Sequence, residues 1–300
     1  MTRPLNDLYR VLGISRQSVH QYHKRQQDFD RKFASLLIEV DELRAEHPGC
    51  GVEKMYYTLK PDFIGRDRFA KAIMQLGYRV KRMRNYHRTT IPAWYKYPNL
   101  IEGMVVNRKN TVWQSDITYF DLKGKFYYIV FILDVFTRQI VGYCVSDHLR
   151  ADANLHALKL ALKNHGAPKI HHSDRGSQYI DKRYVKLLND HKVNISMGLQ
   201  AQDNAYAERI NGTIKNDYLK HWDIKTFDEL KRKTHRAVQH YNEKRIHDSL
   251  PARISPNEFD RTANSYQIME EIFAPARIEQ QQSLVCCNEL MENELFCNIN

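Results

Sequence analysis

The chain has 300 residues, more than one typical domain, and 42% of them are hydrophobic, so two or three folded units with real cores are expected. No apolar run approaches the length of a membrane span, and the opening MTRPLNDLYR lacks a continuous apolar signal segment. These features argue against membrane-spanning and secreted classes and lead to the expectation of a soluble, cytoplasmic protein. The formal net charge of +11 points to a polyanionic partner.

The charge is uneven. Residues 1–100 carry 19 basic and 10 acidic side chains, residues 101–260 carry 25 and 19, and residues 261–300 carry 2 and 6. The positive excess is densest in the first third, and the last forty residues form an acidic tail. Five cysteines (Cys50, Cys144, Cys286, Cys287 and Cys297) make no metal-ligand or disulfide pattern. Their odd number, with one in a predicted core strand, fits free thiols in a reducing compartment.

In chain order, Leu5–Leu12 has helical apolar spacing and stops at Gly13. Ser15 then caps a second helix reaching about Arg25. Helix, glycine turn and polar helix make a helix-turn-helix pattern, in which Arg16, Gln17, His20, Lys24 and Arg25 would reach phosphates and base edges. A third helix is expected over Asp30–Glu46, with further helices near Val52–Leu59 and Arg66–Leu76. The segment Tyr78–Arg84 follows, and its Lys81, Arg82 and Arg84 make it a basic extension of a second helical DNA-binding unit. Asn85–Asn110, with Pro92 and Pro98, reads as a linker.

From Thr111 the periodicity becomes that of strands. VWQSDITYFDL (112–122), KFYYIVFILDVF (125–136) and RQIVGYCVSD (138–147) form a three-strand meander. A helix at Ala151–His165, a strand at Lys169–His172, a helix at Tyr179–His191, a strand at Asn194–Met197 and a helix at Asp203–Tyr218 complete the order β-β-β-α-β-α-β-α. That order predicts an α/β fold: a ribonuclease H-like mixed five-stranded sheet with flanking helices, preceded by an all-α helix-turn-helix region. The expected division is 1–28 helix-turn-helix-like segment, 29–84 second helical DNA-binding unit, 85–110 linker, 111–260 catalytic core and 261–300 tail.

Three carboxylates stand out. Asp116 lies in the middle of the first strand, where a carboxylate is costly unless paired or bound to a cation. Asp174 lies where the fourth strand ends, in HHSDRGSQY, and Glu208 lies on the helix DNAYAERINGTIK. Strand middle, strand end and facing helix can converge at one edge of the sheet. Three such carboxylates suit two magnesium ions, hard cations that prefer oxygen ligands and promote phosphodiester cleavage.

WQSDITYF, HHSDRGSQY, QDNAYAERINGTIKNDYL and YNEKRIHDSLPARISPNEF together resemble the OrfB-type insertion-sequence transposases (insertion-sequence-three-like) over about residues 5–260. These carry a DDE core of the retroviral integrase superfamily. The resemblance implies Asp116, Asp174 and Glu208 as the catalytic, metal-binding triad. It also implies metal-dependent strand cleavage and strand transfer with Mg2+ or Mn2+. The 33 residues between Asp174 and Glu208 are two fewer than the family's usual spacing, a shortfall assigned to the loop Gly198–Gln202.

Lys215, two helical turns after Glu208, is expected beside a DNA phosphate, and Arg209 with it would turn that helix toward DNA. His172 is read mainly as a structural histidine, with orientation of a carboxylate or the attacking water as the lesser reading, and Asp134 suits an ion pair with Arg138 as well as a catalytic role. The resemblance implies double-stranded DNA partners (terminal inverted repeats and target DNA), a homo-oligomer and partnership or fusion with an upstream reading-frame product. It also implies nucleoid association when the chain is bound to DNA. Two alternatives stay open from the residues alone. One is a ribonuclease H-like nuclease without strand transfer, which would not need the basic N-terminal module. The other is a helix-turn-helix regulator with an inert core, which would not need three converging acids.

Overall fold

The structure, a computed structural model, describes residues 9–80, 97–198 and 201–263. After a helical turn at 9–11, Ser15 caps helix α1 (Arg16–Glu46) by accepting the Ser18 backbone N–H at 3.0 Å. The expected break between Arg25 and Asp30 is absent, so the proposed boundary at residue 28 falls within one 31-residue helix. The physical reason is local. Residues 26–29 contain neither Gly nor Pro, Gln26 donates to Asp30 at 2.8 Å, and Asp28 pairs with Arg31 and Lys32 across single turns. Leu36 and Val40 of α1 pack against α2 (Val52–Leu59) and α3 (Arg66–Gln75), burying Met55, Phe69 and Ile73. Lys81, Arg82 and Arg84 lie outside the described residues, as do Cys286, Cys287 and Cys297.

Of the expected linker, residues 97–110 run along the core. Pro98 accepts from the Met197 backbone, Leu100 N–H donates to Ser196, and Ile101 and Val106 pack on Val112, Val135 and Ile170. Strand β1 (Val112–Leu122) turns into β2 (Lys125–Asp134) through Lys123 and Gly124, both at positive φ, the geometry of a two-residue hairpin. β2 ends at Asp134 because that carboxylate closes a turn, accepting the backbone N–H and hydroxyl of Thr137 and the backbone N–H of Asn110. The expected Asp134–Arg138 ion pair therefore does not form; the Arg138 guanidinium lies over the Tyr206 ring instead.

β3 (Ile140–Ser146), helix α4 (Ala151–His165), β4 (Ile170–Ser173), α5 (Lys182–Asp190) and β5 (Asn194–Met197) follow. The helix expected from Tyr179 is split. A single turn spans Ser177–Ile180, and Asp181 then caps α5 by accepting from the Arg183 N–H. The strand order is β3-β2-β1-β4-β5, with β1–β2 and β2–β3 antiparallel and β1–β4 and β4–β5 parallel. This is the mixed ribonuclease H-like sheet. Helices α4 and α5 cover one face over Trp113, Val130 and Ile132. Helices α6 (Ala205–Thr213) and α7 (Phe227–Glu243) cover the other over Phe120, Ile129 and Phe131. α7 is secured by a capping box in which Thr226 and Glu229 satisfy each other's backbone N–H.

The helical unit docks behind α6. The helix expected to reach Tyr218 loosens after Thr213 into a π-helical segment, Ile214–Tyr218. Gly49 donates its N–H to the Asp217 carbonyl there at 2.7 Å, and the His47 ring stacks on Tyr218 at 4.6 Å. Among the described residues no helix is long and apolar enough to cross a membrane.

Candidate active site

The site is built from one strand–helix match. Alternate residues of β1 face α6: Gln114 accepts from the Ala207 backbone N–H at 3.3 Å, Asp116 Oδ2 accepts from Asn211 at 2.8 Å, and Thr118 accepts from Lys215 at 3.1 Å. Two strand residues advance about 6.6 Å, and four helical residues about 6 Å. Steps of two along β1 thus stay in register with steps of four along α6 and its π-helical continuation. The π segment carries Lys215, and such local widenings recur at functional sites. Gln114 also donates to the Asp203 carbonyl and Asn204 donates to the Ser115 carbonyl, which pins the start of α6 to β1.

Asp174 follows from the parallel pairing. Ser115 is opposite Ser173, so the next residue of each chain, Asp116 and Asp174, comes side by side on the face that α6 covers. Beyond β4 the Asp174 Oδ1 accepts the Gly176 N–H at 3.0 Å; a Cβ at Gly176 would lie 3.0 Å from that same oxygen. Glu208 is three residues before Asn211, one turn of α6 away from the Asp116 contact, and is exposed to solvent.

The three acids feel one another. Burial, then the negative charge of Asp174 and, more weakly, that of Glu208 push Asp116 up to about 7, against the hydrogen bonds from Ile117 N–H and Asn211. Burial raises Asp174, and burial followed by the charge of Asp174 raises Glu208. None of the three has an ion-pair partner among the described residues. The nearby cation, Lys215, is half-buried, its ammonium lying 4.9 Å from the Tyr119 ring centre. Burial and then the charge of Lys220 lower its pKa, against the smaller opposing pull of Asp116.

This donor set fits a hard divalent cation. It is all oxygen, crowded with negative charge and short of internal positive charge. Among the described residues no three His, Cys, Asp or Glu side chains form a closed ligand cluster.

Arg16, Gln17, His20, Lys24 and Arg25 are all exposed on the first turns of α1, with Arg16, His20 and Lys24 four residues apart along one stripe. They stand on α1, away from the carboxylates. Arg209 is exposed on α6, and Lys215 is turned toward β1 beside Asp116. His172 is buried, its Nδ1 meeting the Ser196 hydroxyl at 2.8 Å, and burial lowers it to about 4, so it is a neutral structural ring. Sequence reasoning missed Asn211, Gln114 and Asn204. The available signal was spacing, because Asn211 is i+3 from Glu208 and i−4 from Lys215.

An integrase core domain model matches residues 106–201, and a second integrase core model matches residues 190–254. The insertion element IS600 uncharacterized 31 kDa protein of Shigella sonnei is 31% identical over 266 residues, covering 83% of this chain and 96% of that protein. The putative transposase InsK for insertion sequence element IS150 of Escherichia coli is 27% identical, covering 85% and 93%. The catalytic core domain of HTLV-2 integrase aligns with a TM-score of 0.42 at 18% identity, over 50% of this chain and 95% of that one. The chain belongs to the insertion-element transposases that carry an integrase core domain.

Proposed function

We propose that the chain cuts DNA at the ends of its own insertion element and joins the freed 3′ ends to target DNA, with Asp116, Asp174 and Glu208 as the catalytic carboxylates. The observation that supports this best is the coupling of three acids across β1, the end of β4 and α6, with Asp116 driven up to about 7 by burial and like charge. In this reading Asp116, Asp174 and Glu208 would hold two magnesium ions, or manganese, which would supply Lewis acidity at the scissile phosphate.

The chain's own groups position that chemistry. Ile117 N–H and Asn211 each hold one oxygen of Asp116, so its carboxylate plane is set before substrate arrives. Gly176 N–H sets Asp174 in the same way. Lys215, anchored on Thr118, offers a cation to a phosphate approaching Asp116. Hydrolysis adds water across one phosphodiester and leaves a 3′-hydroxyl and a 5′-phosphate. The 3′-hydroxyl then attacks a target phosphodiester at the same site, and the new ester forms as the target strand's own 3′-oxygen leaves as a hydroxyl. No Ser or Tyr nucleophile and no covalent protein–DNA bond is required.

The exposed side chains Arg16, Gln17, His20, Lys24 and Arg25, together with Lys81, Arg82 and Arg84, would bind the terminal inverted repeats. Handling two ends implies at least a dimer, and an upstream reading-frame product would add a further DNA-binding segment. The setting is the bacterial cytoplasm, at the nucleoid when bound.

The test uses purified full chain, magnesium and a duplex bearing the element's end, repeated with Asp174→Asn. End-specific nicking and joining, abolished by the substitution, supports the proposal. Cutting without end preference or joining points to a plain nuclease, and tight binding without cutting to a regulator.

A further inference from the structure

On the side of α6 away from β1, a cavity of about 150 Å3 opens between the helical unit and the core. Lys54 of α2, Arg138 of the β2–β3 turn, Arg209 of α6 and Arg245 after α7 line it, with His247 and Asp248. Water's share of liquid volume is about 30 Å3, so the space is large enough for one phosphate group.

The charge there is not balanced internally. Asp248 is largely exposed and meets Lys54 at 3.4 Å and Arg253 at 3.5 Å, while Arg245 shares Asp217 with His47. Arg138 and Arg209 have no carboxylate partner among the described residues. The Nε atoms of Arg138 and Arg245 are buried without a hydrogen-bond acceptor. A buried charged donor without an acceptor is costly, so its persistence in two neighbouring arginines marks a place that an anion completes. His247 reports the same field. Burial first, then the charges of Arg245, Lys54 and Arg138, hold its imidazole far below its usual range.

We infer that this cavity is a phosphate-binding subsite that grips one backbone phosphodiester of the bound DNA through Lys54, Arg138, Arg209 and Arg245. The inference rests on the proposed DNA chemistry. Arg209 immediately follows Glu208, so a phosphate held here and one at the carboxylates would flank a single helix. Lys54 belongs to the helical unit, so the same phosphate would tie that unit to the core when DNA binds.

The experiment measures affinity of the full chain for an end-bearing duplex in EDTA across a salt series, which needs no cleavage. Each phosphate neutralised contributes about 0.9 to the slope of log affinity against log salt. Lys54→Gln/Arg138→Gln/Arg209→Gln together, which leave only Arg245, already paired with Asp217, should reduce the slope by about 0.9, while the exposed Lys186→Gln leaves it unchanged. Arg209→Gln alone, at an exposed position, should weaken binding with an unchanged melting temperature. An unchanged slope in the triple variant overturns the inference. So does a loss of about 1.8, which would mean two separate phosphates. If inorganic phosphate stabilises the wild type but not Arg209→Gln while the DNA slope is unchanged, the cavity is a small-anion site and the DNA assignment is wrong. A wild-type chain that binds duplex in EDTA but never cuts in magnesium defeats the proposed reaction and leaves the slope comparison intact.

Discussion

Asn211 donates its side-chain amide to Asp116 Oδ2 at 2.8 Å, joining α6 to β1 at the point where the two strand-borne acids meet. The bond favours the charged carboxylate, opposing the burial and like charge that push Asp116 to about 7. Asn211→Ala should therefore raise Asp116 further and move the acidic limb of the cleavage pH profile to higher pH. A loss of roughly tenfold or more in single-turnover rate is expected for a hydrogen bond to a charged group. Rates measured across pH for wild type and variant check both effects; an unmoved limb would leave Asn211 without this role.

Asp116 also sets a stability trade. A carboxyl whose folded pKa lies above its unfolded value, near 3.8, weakens the metal-free fold as pH rises from there through about 7. Asp116→Asn should thus raise the melting temperature above pH 7 by a few degrees and abolish cutting. Below pH 4 the two proteins should melt alike. Magnesium or manganese should stabilise wild type and have a much smaller effect on the variant. Thermal melts at pH 4 and pH 8, with and without metal, give all of these comparisons.

The dock of the helical unit depends on Gly49. A Cβ there would lie 2.4 Å from the Asp217 Cα and 2.7 Å from its carbonyl oxygen. Gly49→Ala should cost about 1–3 kcal/mol as overpacking, read by chemical denaturation. At Gly51 a Cβ meets nothing within 4 Å, so Gly51→Ala serves as the comparison and should be close to wild type.

Lys215 offers a separable prediction. Its ammonium reaches Thr118 and the Tyr119 ring, next to Asp116 but outside the ligand set. Lys215→Gln should slow cutting by about tenfold, the value of a lost charge-assisted contact, with metal-induced stabilisation retained. Calorimetric metal titration beside the rate measurement distinguishes it from a carboxylate variant.

Much of the core was legible because strands announce themselves by composition. The β1 limits were readable from its β-branched and aromatic run, and the mid-strand position of Asp116 followed from them. The unbroken α1 was not legible. Its exposed N-terminal half carries no apolar face while its C-terminal half does, and a change of pattern reads as two elements although nothing there stops the backbone. The partner of Asp134 was misread because a short turn let backbone N–H groups reach it before Arg138 could. The cationic cavity was invisible for another reason. Lys54, Arg138, Arg209 and Arg245 meet only after folding, and local periodicity carries no trace of such long-range convergence.

The most direct test compares single-turnover cutting of an end-bearing duplex by Asp116→Asn, Asp174→Asn and Glu208→Gln with cutting by Asp223→Asn. Asp223 is an exposed acid between α6 and α7 that pairs with Lys225 at 3.0 Å. The account predicts a loss of about a thousandfold or more in each of the first three and a rate within a few-fold of wild type in the fourth. Wild-type cutting by Glu208→Gln would contradict it.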